Sequence, residues 1–284
     1  MMGDVLSDVL PYLVCPLCGT GLEPGDGSVR CAGGHSFDVA RQGYVNLLPG
    51  DAQAGTADTP AMVEARAAFL AEGHFGSLAD LLTGHVGAFC DDPGFVVDAG
   101  AGTAYYLAAV LDRSPAAVGA AVDISKFAAR RAARVHPRIG AVVWDLWRDL
   151  PIRSGTAGVV LNVFAPRNAP EYRRILHSNG ALILVTPTPR HLRQLVAPLG
   201  LLSVDDEKIR QVDALLGGHF DLIARQDHEI GLRLLPHAVQ TLACMGPSAW
   251  HLTPADVHDR LTSSAADPIS VTASFTLSVY RPNR

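Results

Sequence analysis

Three cysteines and a histidine near the start of the chain have the types and spacing of a metal-ligand set. They read Cys15-Pro16-Leu17-Cys18, a turn-rich insert, then Cys31-x-x-x-His35. Two paired knuckles of soft donors match the four-coordinate preference of a structural zinc ion. Further along, Phe95-Val96-Val97-Asp98-Ala99-Gly100-Ala101-Gly102 reads as an apolar strand running into a glycine turn. Such a turn lets backbone come close to a nucleotide-type ligand at a strand-to-helix junction. A metal module ahead of a ligand-binding α/β domain suggests an enzyme that uses the first part to hold a large substrate.

The elements needed to position these residues can be read from pattern. Residues 11–48 are rich in turn formers and poor in helical periodicity. A segment of that kind buries little core, and a metal supplies folding energy in its place. Residues 49–58 read as a flexible linker. Thr59 as N-cap and Pro60 at the first helical position start a helix that stops near Gly73, and a second helix runs from Ser77 to Phe89. Strands at 95–99, 118–123, 140–144, 157–162 and 180–186 then alternate with helices at 103–113, 126–135 and 169–176. That alternation predicts a parallel, doubly wound sheet. Helices near 190–199, 207–217, 235–244 and 253–262 and strands near 219–230 and 268–281 complete the chain. Ile269 to Leu277 alternates polar and apolar residues like an edge strand with one wet face. The expected division is 1–48 for the zinc-binding module, 49–92 for linker and helical segment, and 93–284 for the catalytic domain.

The third glycine of a dinucleotide fingerprint is missing, because Tyr105 holds that position. Acids instead close three successive strands: Asp98 before the glycine turn, Asp123, and Asp145. A carboxylate at the Asp123 position accepts hydrogen bonds from ribose hydroxyls. Asp145 is placed to meet an adenine amino group or, equally, to cap a loop. The set resembles the S-adenosylmethionine site of class I methyltransferases. In that family the fourth strand end faces the methyl acceptor; here it reads Leu161-Asn162-Val163-Phe164-Ala165-Pro166-Arg167-Asn168. Asn162 would hold the acceptor's edge and Phe164 would stack on a base; a tight turn that needs Asn and Pro is the competing reading.

Bulk properties narrow the class. With 284 residues, 48% of them hydrophobic, the chain holds one large α/β domain and a small appendage. No apolar run has the length of a membrane span, and the first residues lack a basic stretch ahead of an apolar one. The expectation is a soluble, cytoplasmic protein with no membrane partner. Five cysteines, an odd number, argue against a disulfide framework; Cys90 and Cys244 read as small core residues. The formal net charge of −5 does not announce a nucleic-acid binder, so an RNA substrate would have to meet local basic patches.

Longer stretches carry a more specific resemblance. The zinc module with Phe37 to Leu48, Ala65-Arg66-Ala67-Ala68-Phe69-Leu70 with Gly73-His74-Phe75, Val163 to Asn168, and Thr186-Pro187-Thr188-Pro189-Arg190-His191-Leu192 are similar to the ribosomal large-subunit RNA guanine-N1 methyltransferases. The likeness covers nearly the whole chain. Asn162 to Asn168 and Met245-Gly246-Pro247-Ser248-Ala249-Trp250-His251 resemble the tylosin-resistance branch. The resemblance implies a class I (Rossmann-like) methyltransferase fold with a mostly parallel seven-stranded sheet and a small N-terminal zinc-binding module. It implies N1-methylation of a guanine in a domain II hairpin loop of 23S rRNA, with a role in macrolide resistance. It also implies S-adenosylmethionine and zinc as cofactors, and a homodimer acting on 23S rRNA or a large-subunit precursor.

Carried over by position, Cys15, Cys18, Cys31 and His35 bind zinc. Gly100, Gly102, Thr103 and Asp123 line the cofactor, with Asp98, Asp145, Phe75 and His191 beside them. Asn162, Phe164 and His191 are the residues expected at the reacting base. Arg30, Arg41 and Tyr44 in the module, with Arg167 and Arg190 on the acceptor side, are expected to grip RNA. The arginine run Arg130, Arg131, Arg134 and Arg138 reads as a solvated helix face. Two departures stand out: the glycine loop continues Thr103-Ala104-Tyr105-Tyr106 where relatives often have another glycine, and the usual Pro-Gly-Gly turn is replaced by His177-Ser178-Asn179-Gly180. A methyltransferase for a small biosynthetic molecule and a non-catalytic RNA-binding scaffold are the competing functions.

Overall fold

A computed structural model describes residues 4–50, 57–90, 94–204, 206–261 and 268–283. Residues 51–56 of the expected linker lie outside them.

The N-terminal segment is α1 (Asp4–Val9), a short 3-10 turn, and an antiparallel three-stranded ribbon β1 (Leu22–Pro24), β2 (Ser28–Cys31) and β3 (Ser36–Asp38). β4 (Tyr44–Asn46) follows, then α2 (Pro60–Ala71) and α3 (Gly76–Phe89). Thr59 caps α2 as expected, its hydroxyl accepting from the Met62 amide at 3.3 Å. The alternating region is β5 (Phe95–Ala99), α4 (Tyr105–Arg113), β6 (Val118–Asp123), α5 (Lys126–Val135), β7 (Ile139–Val143), β8 (Ala157–Val163), α6 (Ala169–Ile175) and β9 (Leu176–Pro187). α7 (Arg193–Leu199), α8 (Asp206–Leu216), β10 (Phe220–Leu234), α9 (Pro236–Cys244), α10 (Pro254–Leu261) and β11 (Ile269–Pro282) complete it.

The main sheet has the order β10-β11-β9-β8-β5-β6-β7-β4. β5 through β9 are parallel, and β10 and β11 run antiparallel at one end. This is the seven-stranded class I methyltransferase arrangement, with one strand more than expected. The extra strand, β4, comes from the N-terminal segment and pairs in parallel with β7, Tyr44 opposite Ala141. Val45 and Leu47 are fully buried by it.

Both faces of the sheet are covered, which is why its central strands read as unbroken apolar runs. One face packs on α3, α4, α5, α9 and α10 through residues such as Leu82, Leu107, Ala132 and Val239. The other packs on α1, α6, α8 and the zinc ribbon through Val9, Tyr172, Leu216 and Leu13. Tyr12 stacks on Phe95 of the first parallel strand, centroids 4.1 Å apart.

β11 is not the edge strand its alternation suggests. It lies between β9 and β10, and β10 is the edge. Ser274, Thr276 and Ser278 are buried rather than wet. They bond to their cross-strand neighbours on β10: Thr276 donates to Asp227 at 2.6 Å and Arg225 donates to Ser278 at 3.1 Å. A polar ladder between two strands has the same period as a solvated face, so pattern alone does not separate them.

Candidate active site and metal centre

The knuckles of the N-terminal ribbon bring the four expected ligands together. All four donor atoms lie within 4.8 Å of one another. Cys18 Sγ is 3.6 Å from Cys31 Sγ, and His35 Nδ1 is 3.5 and 3.4 Å from the sulfurs of Cys15 and Cys31. Tetrahedral zinc with bonds of roughly 2.3 Å to sulfur and 2.0–2.1 Å to nitrogen requires such edges, about 3.5–3.8 Å. The sulfurs are too far apart for a disulfide, which needs about 2.05 Å. The Thr20 hydroxyl lies 3.1 Å from Cys18 Sγ and holds that thiol below its ordinary pKa, the form a metal takes. A Cβ on Gly33 would sit 3.3 Å from Cys18 Sγ and 3.6 Å from His35 Nδ1, so the cluster is wrapped by backbone. The set fits zinc.

The second site lies where the parallel strands end. Asp98 closes β5 and is buried; its Oδ2 has no hydrogen-bond partner. Burial, then the nearby Asp123 carboxylate, pushes Asp98 up to about 8. Gly100 and Gly102 follow with φ of +85° and +54°, and the Gly102 amide donates to Asp123 Oδ2 at 2.8 Å. The Ser125 amide donates to Asp123 Oδ1, also at 2.8 Å. Asp123 therefore ties the glycine loop to the start of α5, and each oxygen keeps a lone pair for a further donor. Thr103 is buried behind the loop. Asp145, one strand on, accepts from the Trp147 amide at 3.0 Å.

Asn162 is fully buried near the end of β8, one residue beyond Leu161, which pairs with Asp98. Its amide nitrogen donates to the Ala99 and Pro166 carbonyls at 3.0 and 2.8 Å, which fixes its orientation. Its Oδ1 has no partner. Two unsatisfied acceptors, Asp98 Oδ2 and Asn162 Oδ1, thus sit at neighbouring strand ends. Buried orphans of this kind call for a donor that arrives with a ligand. A cofactor with an ammonium group and a sulfonium charge, such as S-adenosylmethionine, supplies donor and positive charge together. The residues fit it.

Phe164 follows in the left-handed region, φ +54°, with its ring half exposed. Ala104 (φ +59°) and Leu192 (φ +55°) share that conformation. All three lie in loops at this one edge of the sheet, where strain gathers at functional sites. The Phe164 ring is 5.7 Å from that of His191. Burial holds His191 down at about 4, neutral at physiological pH, and its Nδ1 lies 3.0 Å from the Ser274 carbonyl. The structure thus places Asp98, Gly100, Gly102, Thr103 and Asp123 on one floor at the ends of β5 and β6, with Asn162 on the neighbouring strand end and Phe164 and His191 against each other.

Other expected residues stand apart from that floor. Phe75 is buried edge-on against Phe69, 5.3 Å between centroids. Arg30 and Arg41 are exposed on the ribbon side, while Tyr44 packs into the main core. Arg167 is partly buried near Tyr172 and Tyr280, its Nε without a partner. Arg190 is 60% exposed, but its charge is answered by Glu229 at 2.5 Å.

Sequence reasoning gave no role to Arg66, whose guanidinium reaches the cofactor loop. It pairs with Asp58 at 2.7 Å, donates to the Met245 carbonyl at 2.8 Å, and lies 2.8 Å from where a Gly102 Cβ would be. Asp58 in turn accepts from the Ser125 hydroxyl through its carbonyl, at 2.8 Å. The end of the expected linker is therefore fastened over the glycine loop. The signal was the charged residue inside the apolar stripe of α2.

Comparisons with known proteins agree with this geometry. A zinc-ribbon family described as "RlmA, N-terminal" matches residues 13–54. A protein of Micromonospora griseorubida assigned as a 23S rRNA (guanine-N(1)-)-methyltransferase is 48% identical, over 97% of this chain and 99% of its own. The 23S rRNA (guanine(748)-N(1))-methyltransferase of Streptomyces fradiae is 45% identical, over 97% and 98%. A methyltransferase structure from Bacillus halodurans is similar with a TM-score of 0.49 at 12% identity, over 70% of this chain and 97% of its own. With 48% and 45% identity over nearly the whole length of both relatives, the chain belongs to the family of 23S rRNA guanine-N1 methyltransferases.

Proposed function

We propose that this enzyme transfers the methyl group of S-adenosylmethionine to N1 of a guanine in the domain II hairpin of 23S rRNA. The observation that carries the reading is the pair of unsatisfied acceptors, Asp98 Oδ2 and Asn162 Oδ1, under a glycine loop held by Asp123. Asp98 and Asn162 would hold the cofactor's ammonium end, Asp123 its ribose, and Asp145 its adenine. Gly100, Gly102 and Thr103 form the cradle. The bound cofactor supplies an electrophilic methyl group.

The remaining work is orientation. Guanine N1 carries a proton and lies inside a base pair, so the base must be presented from a loop or flipped out. Phe164 offers an exposed ring for the unstacked base. His191 is neutral, and its Nδ1 is held between the carbonyl and the amide of Ser274, at 3.0 and 3.2 Å. A group near pKa 4 is a weak base, so the N1 proton passes to water and catalysis rests on alignment of N1 with the methyl–sulfur axis. Arg30, Arg41, Tyr44, Arg167 and Arg190 are the proposed RNA contacts; of these, Arg30 and Arg41 are exposed on the ribbon side. The reading extends to resistance to tylosin-type macrolides, a cytoplasmic location and a homodimer.

The test is methyl transfer from labelled S-adenosylmethionine to unmodified 23S rRNA, with primer extension. N1-methylation blocks Watson–Crick pairing, so a new stop is expected in the domain II hairpin. Label uptake without a stop there would mean another atom or another RNA.

A further inference from the structure

α5 has two different faces. Ala128, Ala129 and Ala132 point into the core and are buried. Phe127, Arg130, Arg131, Arg134 and Val135, at i, i+3, i+4, i+7 and i+8, form a second stripe that is exposed. A solvated helix face would be convex and polar. This one lines a groove of about 630 Å³, whose far wall is Val63, Ala67 and Leu70 of α2 and whose end is Thr103 of the cofactor loop and Tyr105.

The groove is cationic. α5 carries Lys126 and three arginines and no acid. Arg131 pairs with Glu64 at 3.4 Å; among the described residues Arg130 and Arg134 have no carboxylate at ion-pair distance. Phe127 is 36% exposed and Val135 46%, both on the arginine stripe. The Lys126 ammonium lies 5.4 Å from the centre of the Phe127 ring. Aromatic surface interleaved with guanidinium groups in a basic groove is the chemistry that takes a single nucleic-acid strand: phosphates on arginine, bases on the ring.

The position suits that partner. α5 packs against β4, the strand that follows the zinc ribbon, and a Cβ on Gly43 would lie 3.7 Å from that of Ala133. The groove therefore starts at the cofactor loop and runs along a helix whose neighbouring side packs on β4. A chain with a net charge of −5 that acts on RNA must gather its positive charge locally, and this stripe is such a gathering.

We propose that the α2–α5 groove binds a single-stranded segment of the substrate RNA flanking the target base, with Arg130 and Arg134 on phosphates and Phe127 stacked on a base. This inference rests on the rRNA reading above. The test uses full-length protein and a domain II hairpin transcript, with dissociation constants measured across a salt series. Removing two single-strand phosphate contacts in Arg130→Gln/Arg134→Gln should flatten the slope of log K against log salt by about 1.4. Affinity should fall about tenfold or more, raising KM for RNA while S-adenosylmethionine binding and kcat at saturating RNA hold. Phe127→Ala should weaken RNA binding about fivefold or more without changing the slope. Arg113→Gln, a charge change elsewhere on the surface, should do neither. Unchanged RNA affinity and slope in the double variant, while wild type methylates the hairpin, would overturn the groove alone. Altered sedimentation with unaltered RNA affinity would also overturn it, by making this face a contact between copies. Failure of wild type to methylate the RNA would remove the parent reading and the groove with it.

Discussion

Asp98 connects proton and cofactor chemistry at a single carboxyl group. Its folded pKa is raised to about 8 from 3.8, so between these values the folded state holds a proton that the unfolded state has lost. Stability of the cofactor-free protein therefore declines as pH rises from about 4 to about 8. Asp98→Asn should abolish that decline, seen as a flatter plot of melting temperature against pH. A cationic ligand favours the ionised carboxyl, so wild-type cofactor affinity should rise from pH 6 to pH 8, by up to ~10-fold per unit; the Asn variant should bind weakly and without that slope. Titration calorimetry at three pH values decides it. Ala104 makes a second prediction. It occupies the left-handed region, which costs a residue with a Cβ roughly 1–2 kcal/mol. Ala104→Gly should be tolerated to within about 1 kcal/mol, because relief of strain is offset by backbone entropy and a lost buried methyl. Ala104→Val adds β-branching to the same φ and should cost more than about 2 kcal/mol in urea unfolding.

At the scale of elements, legibility followed period and punctuation. The cap at Thr59 and Pro60, the strand–helix alternation, and the ligand knuckles are local signals, and each is found where its residues place it. Tertiary choices were not local. Three residues, Tyr44 to Asn46, are too short to announce a strand, and only the open edge of β7 makes them one. Ser274, Thr276 and Ser278 of β11 have the period of a wet face and instead meet polar side chains of β10. The role of Arg66 depends on Gly102 and Met245, far from it in the chain. Because β4 belongs to the main sheet, damage in the N-terminal segment should reach the whole protein. Leu47→Ala should cost about 2–5 kcal/mol of global stability in urea unfolding monitored by tryptophan fluorescence. Removing the metal with a strong chelator should lower the melting temperature of the intact chain as well as release one zinc per protein.

At the scale of the molecule, the sheet's strand ends form one working edge, with the zinc ribbon docked through Tyr12 on Phe95 and through β4 on β7. If the proposed arginines capture the substrate, methyl transfer to the hairpin should fall steeply with salt, because an acidic protein offers RNA only local positive charge. Among the described residues no helix is long and apolar enough to cross a membrane. The pairing of β4 with β7 also bears on how the chain is made. Tyr44 leaves the ribosome roughly a hundred residues before its partner Ala141, an interval of about 5–20 s at ordinary elongation speeds. Through that interval the zinc knuckles have all their ligands and can close, while the apolar strand beside them waits unpaired. Nascent chains are thus exposed to wrong strand pairing at one defined stage of synthesis, and a cell short of zinc would meet that hazard with the anchor missing.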